Sequence, residues 1–384
     1  MRSDRLPAGV YLLAFSLFAM GSAEFLLAGV LPAVASDLDV TLSSAGFLIT
    51  AFALGVVVGG PPFAVLSLRW PRRLTLVLTQ VVFAASVAIG LCGNYPILLV
   101  SRVVAGIAYA GFFAVAAVVA ISLVTPDRNA RASGVVVSGL SVAMVAGGPA
   151  GTLLSHFTQW RGGFWAVVGL TVLAAIGCLA GIPATETARS PDLRLELAVL
   201  RRPFLWGIFA VTILTTAAYM ITFNYLSAML TDITKVGDVW IPGILALFGV
   251  GAFVGLSIGG RVADRRPHLA LLAGASGVAV LSIVLVGVIH TAWATTLTVF
   301  FIGTAAFLLN PAVYGRVFAI AGDAPTLAGA TTVSAFQLGI SITPALAAAV
   351  LTSGASVSSI GVIGAVLAVC AIPLMLLDRA NGDR

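Results

Sequence analysis

Apolar runs of membrane length recur twelve times along this chain, and nearly all of its charges are gathered in the short gaps between them. A hydrocarbon core takes about 20 apolar residues per helical crossing. In the first half the runs fall at 8–34, 43–66, 74–92, 96–124, 132–155 and 163–183. In the second half they fall at 203–230, 240–262, 268–289, 292–318, 326–350 and 356–377. Barrel strands would be about 10 residues long with alternating polarity, so these runs read as helices. The composition leaves no room for a water-soluble fold: 60% of residues are hydrophobic and 9% charged, against about 25% charged in an average soluble domain. The fold class is therefore all-α integral membrane, with twelve transmembrane helices.

The charges give the orientation. The net charge is +6, yet there is no polar domain on which a basic stripe for nucleic acid could form. Seventeen of the 20 basic residues fall in the termini, in alternate gaps or at the run ends beside them (Arg261 and Arg316), Arg161 and Lys235 fall in the other gaps, and Arg102 lies deep inside a run. Basic residues collect on the cytoplasmic side of membrane proteins, so both termini are expected there. Ala33-Val34-Ala35 looks like a signal-peptidase site, but the preceding stretch is longer than a signal h-region of about 7–15 residues and Glu24 interrupts it. It reads as the first crossing. Three cysteines, all inside apolar runs, make no disulfide framework, and His156, His268 and His290 are too scattered for a histidine metal site.

Two halves follow from a repeat. Gly55, Gly59, Arg69 and Pro71 match Gly251, Gly255, Arg265 and Pro267 at one constant offset, and Pro149 and Pro344 recur at nearly the same one. The domains are read as a six-helix half over 1–183, a charged cytoplasmic linker over 184–202 and a second six-helix half over 203–384. Within the linker, Leu193, Leu195, Leu197 and Leu200 suit a short interfacial helix, or simply a solvated connection. A parallel repeat of six spans is the plan of transporters whose halves rock about a central site.

Ionisable residues inside spans are costly, about 2.5–3.5 kcal/mol at a helix centre on insertion scales, and mark function by default. Glu24 is the acid lying well within a span and Arg102 its basic counterpart. At 1.5 Å per residue they lie roughly 15 Å and 9 Å from the same membrane face, depths that a long arginine could bridge. Glu24 is read as a proton site whose affinity Arg102 modulates; a static buried pair is the alternative. Gly106, Tyr109 and Phe113 share the helical face of Arg102, presenting an aromatic wall and one charge to an interior cavity. Asn224, Tyr225, Asn310 and Gln337 add polar groups, as substrate contacts or as interhelical glue. Around the cytoplasmic gaps, Arg69, Arg72, Arg73, Asp264 and Arg265 are candidates for a conformational latch. Gly139, Gly148, Pro149 and Gly151 would let span five kink and pack closely where the halves meet.

These residues resemble the major facilitator superfamily, in its twelve-span drug:proton antiporter branch, over essentially the whole chain. Gly260-x-x-x-Asp264-Arg265 resembles the superfamily loop motif, and Arg69, Arg72 and Arg73 match its basic positions in the first half, with Leu68 where aspartate is usual. Arg102-x-x-x-Gly106 matches the span-four motif, whose arginine the resemblance ties to proton coupling. Gly139 with Gly147-Gly148-Pro149-Ala150-Gly151 is similar to the antiporter motif, Thr152 standing where a second glycine is common. Residues 21–40, 238–255, 262–267 and 323–329 look most like arabinose-efflux proteins and actinobacterial chloramphenicol-resistance exporters. The resemblance implies efflux of chloramphenicol or a similar small amphipathic drug in exchange for protons. Export of sugars or nucleosides is the alternative. It implies a monomer in the bacterial inner membrane, with no cofactor beyond the proton gradient and no nucleic-acid partner. An enzyme would need clustered catalytic groups at a membrane face, a receptor would need a signalling domain, and an ATP-driven pump would need a P-loop; the sequence has none of these.

Overall fold

The structure, a computed structural model, describes residues 6–66, 70–125, 128–183, 198–322, 325–354 and 356–382. Among the described residues there are helices and no strands. The α-helices are α1 Ala8–Asp37, α2 Leu42–Leu66, α3 Arg72–Cys92, α4 Tyr95–Ser122, α5 Asn129–Val142, α6 Gly148–Gly181, α7 Pro203–Met229, α8 Ile241–Ala263, α9 Pro267–Val288, α10 Ala292–Leu308, α11 Asn310–Ala321, α12 Pro325–Leu351 and α13 Ser359–Gly382. Several starts are written in the sequence as a proline in the first turn, where its missing N–H is one the helix leaves unpaired anyway. Asn94 adds a side-chain cap to α4, accepting from Ile97 N. The interfacial helix expected near 193–200 lies largely outside the described residues.

Among the described residues, eleven segments are long and apolar enough to cross a membrane, and one of them, Arg131–Gly181, is long enough for two passes. Its 51 residues far exceed the roughly 30 Å of a hydrocarbon core at 1.5 Å per residue. The break is at Gln159, whose φ of 64° is non-helical. Packing against α1 shows the reversal: Gly139 sits against Ala14 and Gly151 against Leu26, whereas the returning Cys178 meets Ser16 and Gly181 meets Leu12. Asp37 closes the bend, accepting from Trp160 Nε1 at 3.0 Å and from Arg161 at 2.6 Å. Crossing ten is the α10–α11 pair, broken at Asn310-Pro311. Ile89, Val100, Leu173, Ile176 and Val280 are exposed, a surface that suits lipid and would be costly in water.

The sequence repeat reappears as a packing repeat. Gly55 abuts the carbonyl of Val103, and a Cβ there would overlap it; Gly251 stands in the same relation to Phe300. Gly106 likewise abuts the carbonyl of Phe52, and Gly303 that of Phe248. Helices α2 and α4 in one half, and α8 and α10 in the other, thus approach backbone to backbone, as small residues permit in lipid.

The halves meet most closely at the end of the bundle away from the termini. There Ser227 donates to the carbonyl of Gly29 at 2.9 Å, Thr50 donates to that of Ser341 at 2.8 Å, and Gly46 faces Tyr225 and Pro344. Toward the terminal end, Met144 and Val145 of crossing five touch Gly249 of α8, and both helices continue past that contact.

Candidate functional site

Between the halves lies a cavity of about 350 Å³, within the range of small-molecule sites. Its outer end is closed by the contacts just described. Toward the terminal end its lining continues along Val137 and Leu140 of α5 and Phe253 and Leu256 of α8, of which Val137 and Phe253 are exposed.

Glu24 reaches this cavity because α1 runs through the centre of the bundle, packed on α5 and α6 in its own half and on α7 in the other. It is the one charged residue among those lining the space. Gln337 of α12 crosses from the other half and donates from Nε2 to Glu24 Oε1 at 3.1 Å. Aromatic rings form the walls: Tyr109 and Phe113 lie 6.4 Å apart on one side, Tyr219 and Phe307 5.5 Å apart on another, and Tyr314 and Phe336 5.6 Å apart below. Three polar atoms on this lining are buried without a hydrogen-bond partner: Thr216 Oγ1, Asn310 Oδ1 and Gln337 Oε1. These atoms face the cavity beside Tyr219, where water or a ligand can meet them. An aromatic box with a few acceptors and one carboxylate suits a neutral or cationic amphipathic molecule bearing N–H or O–H donors.

Arg102 is not in this cavity. It is buried behind α1, donating Nε to the carbonyl of Leu48 and a terminal nitrogen to that of Ala23, with its guanidinium 4.6 Å from the Phe52 ring centre. No ion pair joins it to Glu24. The shared face expected for Arg102, Gly106, Tyr109 and Phe113 therefore divides. About two turns of helix, roughly 10 Å along its axis, separate Arg102 from Tyr109, and Gly106 is used for contact with α2, so only Tyr109 and Phe113 reach the cavity.

Of the polar residues of the second half, Asn310 and Gln337 reach the cavity and the other two do not. Asn224 is buried and donates to Thr343 Oγ1 at 3.0 Å, tying α7 to α12. Tyr225 is buried at the outer seal against Gly46. Met220 and Tyr219, about one turn earlier on the same helix, line the space instead.

The conformational candidates also divide. Gly139, Gly148 and Gly151 pack against α1 within their own half, at Ala14, Phe25 and Leu26, not against the other half. Crossing five touches its opposite partner through Met144 and Val145 instead. These belong to a wide π turn, Ala143–Gly147, placed where Pro149 has no N–H to give the preceding turn. Arg72 and Arg73 open α3; Arg69 lies outside the described residues. Asp264 and Arg265 are both exposed after α8 and form no ion pair with each other.

The sequence reading missed Tyr219, Tyr314, Phe307 and Phe336. One signal was available: Tyr314 follows Asn310 by four residues, on the same helical face. It also missed a buried cluster at the terminal end of the second half, where Arg316 binds Asp378 through two bonds of 2.7 and 3.0 Å and His268 lies 3.7 Å away. Arg316 and His268 lie at the ends of apolar runs, where they read as an orientation signal and a scattered histidine, and only the fold brings three helices together there.

A polytopic helical bundle of two repeated halves around a central cavity defines a membrane transporter. The Major Facilitator Superfamily signature matches residues 13–344, and the chain belongs to that family. It is 40% identical over 352 residues to a chloramphenicol resistance protein of Streptomyces lividans, covering 90% of each chain. It is 31% identical to the inner membrane transport protein YdhP of Escherichia coli K12, covering 95% of this chain and 94% of that one. In fold it is similar to a peptide transporter, POT, solved with sulfate, with a TM-score of 0.78 at 13% identity over 100% of this chain and 96% of that one.

Proposed function

We propose that the chain exports chloramphenicol, or a similar small amphipathic drug, across a bacterial inner membrane in exchange for protons. The observation that carries this reading is Glu24, a lone carboxylate on an aromatic cavity shared by the two halves. The similarity to a chloramphenicol resistance protein supports the substrate. By the arginine asymmetry the terminal face is cytoplasmic, so the cavity is reached from the cell interior. Drug enters there as Glu24 gives up its proton inward. The halves, 1–183 and 203–384, then rock about the cavity, the seal at Gly46, Tyr225 and Pro344 opens, drug leaves, and Glu24 reloads from outside. The proton gradient supplies the energy, no cofactor takes part, and one chain suffices because both walls of the cavity come from it.

The test is uptake of labelled chloramphenicol into inverted membrane vesicles with and without an imposed proton gradient. Accumulation that collapses with the gradient is the expected result. No accumulation in vesicles containing folded protein would overturn the substrate, and pentoses and nucleosides would be tried in its place.

A further inference from the structure

We propose that the amide oxygen of Gln337 is the single acceptor for which proton and substrate compete. The proposal rests on reading Glu24 as the proton site and adds how its protonation is communicated to the drug. Gln337 is buried, 7% exposed; its Nε2 is committed to Glu24 Oε1, and its Oε1 has no partner. A carboxylate can only accept, so while Glu24 is ionised one bond is all the pair can make. A protonated Glu24 has an O–H to place, and a primary amide facing a carboxylic acid can make a reciprocal pair: amide N–H to acid carbonyl, acid O–H to amide oxygen. Protonation thus fills the orphaned acceptor and doubles the link between α1 and α12, which belong to opposite halves. A substrate hydroxyl or amide N–H entering the cavity needs the same oxygen. When it takes Gln337 Oε1, the Glu24 O–H loses its acceptor, and its proton leaves to water in the open cavity.

The other ionisable groups around Glu24 do not substitute for this acceptor. Arg102 of α4 donates only, and is turned to the carbonyls of Leu48 and Ala23. Tyr109, Tyr219 and Tyr314 line the same space from α4, α7 and α11; the lining from α5, α8 and α12 holds no titratable side chain. Helix α2 carries no ionisable residue, and Arg161 of α6 is held by Asp37. Gln337 is accordingly a positioning residue that acts through Glu24 as well as a substrate contact, and the substrates it admits carry a hydrogen-bond donor.

The experiment uses purified full-length protein in lipid nanodiscs, with Gln337→Met as the variant of equal reach and Gln337→Asn as a second should the first misfold. In the first arm, infrared pH titration follows the protonated carboxyl band that disappears in Glu24→Gln. The band should move to higher frequency in Gln337→Met, as the acid loses its amide partner. An unchanged band overturns the proposal and leaves the transport reading standing. In the second arm, chloramphenicol binding is measured across the same pH range. Wild type should lose about tenfold in affinity as Glu24 protonates, the worth of one hydrogen bond, while Gln337→Met should vary by less than about twofold. An equal pH dependence in both would place the competition at Glu24 itself and overturn the proposal. If chloramphenicol fails to bind wild type at any pH, the substrate reading falls and the infrared arm alone decides the Gln337–Glu24 link.

Discussion

Arg102 and Glu24 are neighbours but not partners: the guanidinium gives its hydrogen bonds to the carbonyls of Leu48 and Ala23 and stacks on Phe52, while the carboxylate takes its bond from Gln337 in the other half. The positive charge is fixed inside the first half and the negative one faces the moving interface. A rocking motion that breaks the Gln337 bond changes the surroundings of Glu24 without disturbing Arg102.

Glu24→Gln should abolish gradient-driven accumulation in inverted vesicles while the protein still inserts and folds. A glutamine retains an oxygen to accept from Gln337 but takes up no proton, so drug exchange without a gradient should persist. Full active transport by this variant would remove Glu24 from the coupling step.

Arg102→Met should leave the melting temperature of the purified protein unchanged or raise it while impairing coupled transport. The arginine holds long hydrogen bonds, a ring contact and the charge attraction of nearby Glu24, and replacing a buried charge with an apolar group of similar volume is often neutral or stabilising. A loss of about 3–5 kcal/mol would instead be the mark of a broken buried ion pair. Arg102→Lys should not restore transport, since an ammonium lacks the planar fork that reaches two carbonyls and a ring together.

Asn310 and Asn224 should separate cleanly. Asn310→Leu removes an unpartnered acceptor from the cavity, so chloramphenicol affinity should fall about fivefold to tenfold with a smaller loss of thermal stability, from its contact with Tyr219. Asn224→Leu breaks the bond to Thr343 and should cost about 1 kcal/mol of stability with affinity unchanged. Binding titrations and melting curves on the same preparations decide both.

Gly55→Val and Gly251→Val should each destabilise by about 1–3 kcal/mol, because each side chain would be driven into a facing carbonyl on a closely packed helix. Gly207→Ala, where nothing lies within 4 Å, should be neutral or slightly stabilising. Thermal melts of the three variants check the packing repeat directly.

Exchange of one proton for a neutral drug moves one charge. Export should therefore respond to membrane potential at fixed pH, by about 2.3 kcal/mol per 100 mV, roughly fiftyfold in the drug gradient it can hold. Potassium-diffusion potentials imposed on the vesicles measure this. Insensitivity to potential would require a second charge to be carried.

The sequence by itself determined that the chain is a bundle of membrane-length helices, because that depends on solvent alone. A hydrocarbon interior admits only long apolar helices, so run length fixed the crossings, arginine placement predicted the orientation, and the cost of Glu24 in lipid singled it out. The glycine repeat also survived translation into space, because Gly55 and Gly251 act through local backbone approach. Rotation of side chains about the helix axis was not legible in the same way. In a bundle every face of a central helix is apolar, so nothing in the pattern around Asn224, Tyr225 or Arg102 told cavity from seam. The glycines of crossing five read equally well toward either half, and only packing against α1 decided it. The bond from Gln337 to Glu24 joins residues far apart in sequence on opposite halves, and the walls of Tyr219 with Phe307 and Tyr314 with Phe336 join separate helices of the second half. Such contacts depend on how helices distant in sequence meet, and only the tertiary structure holds that information.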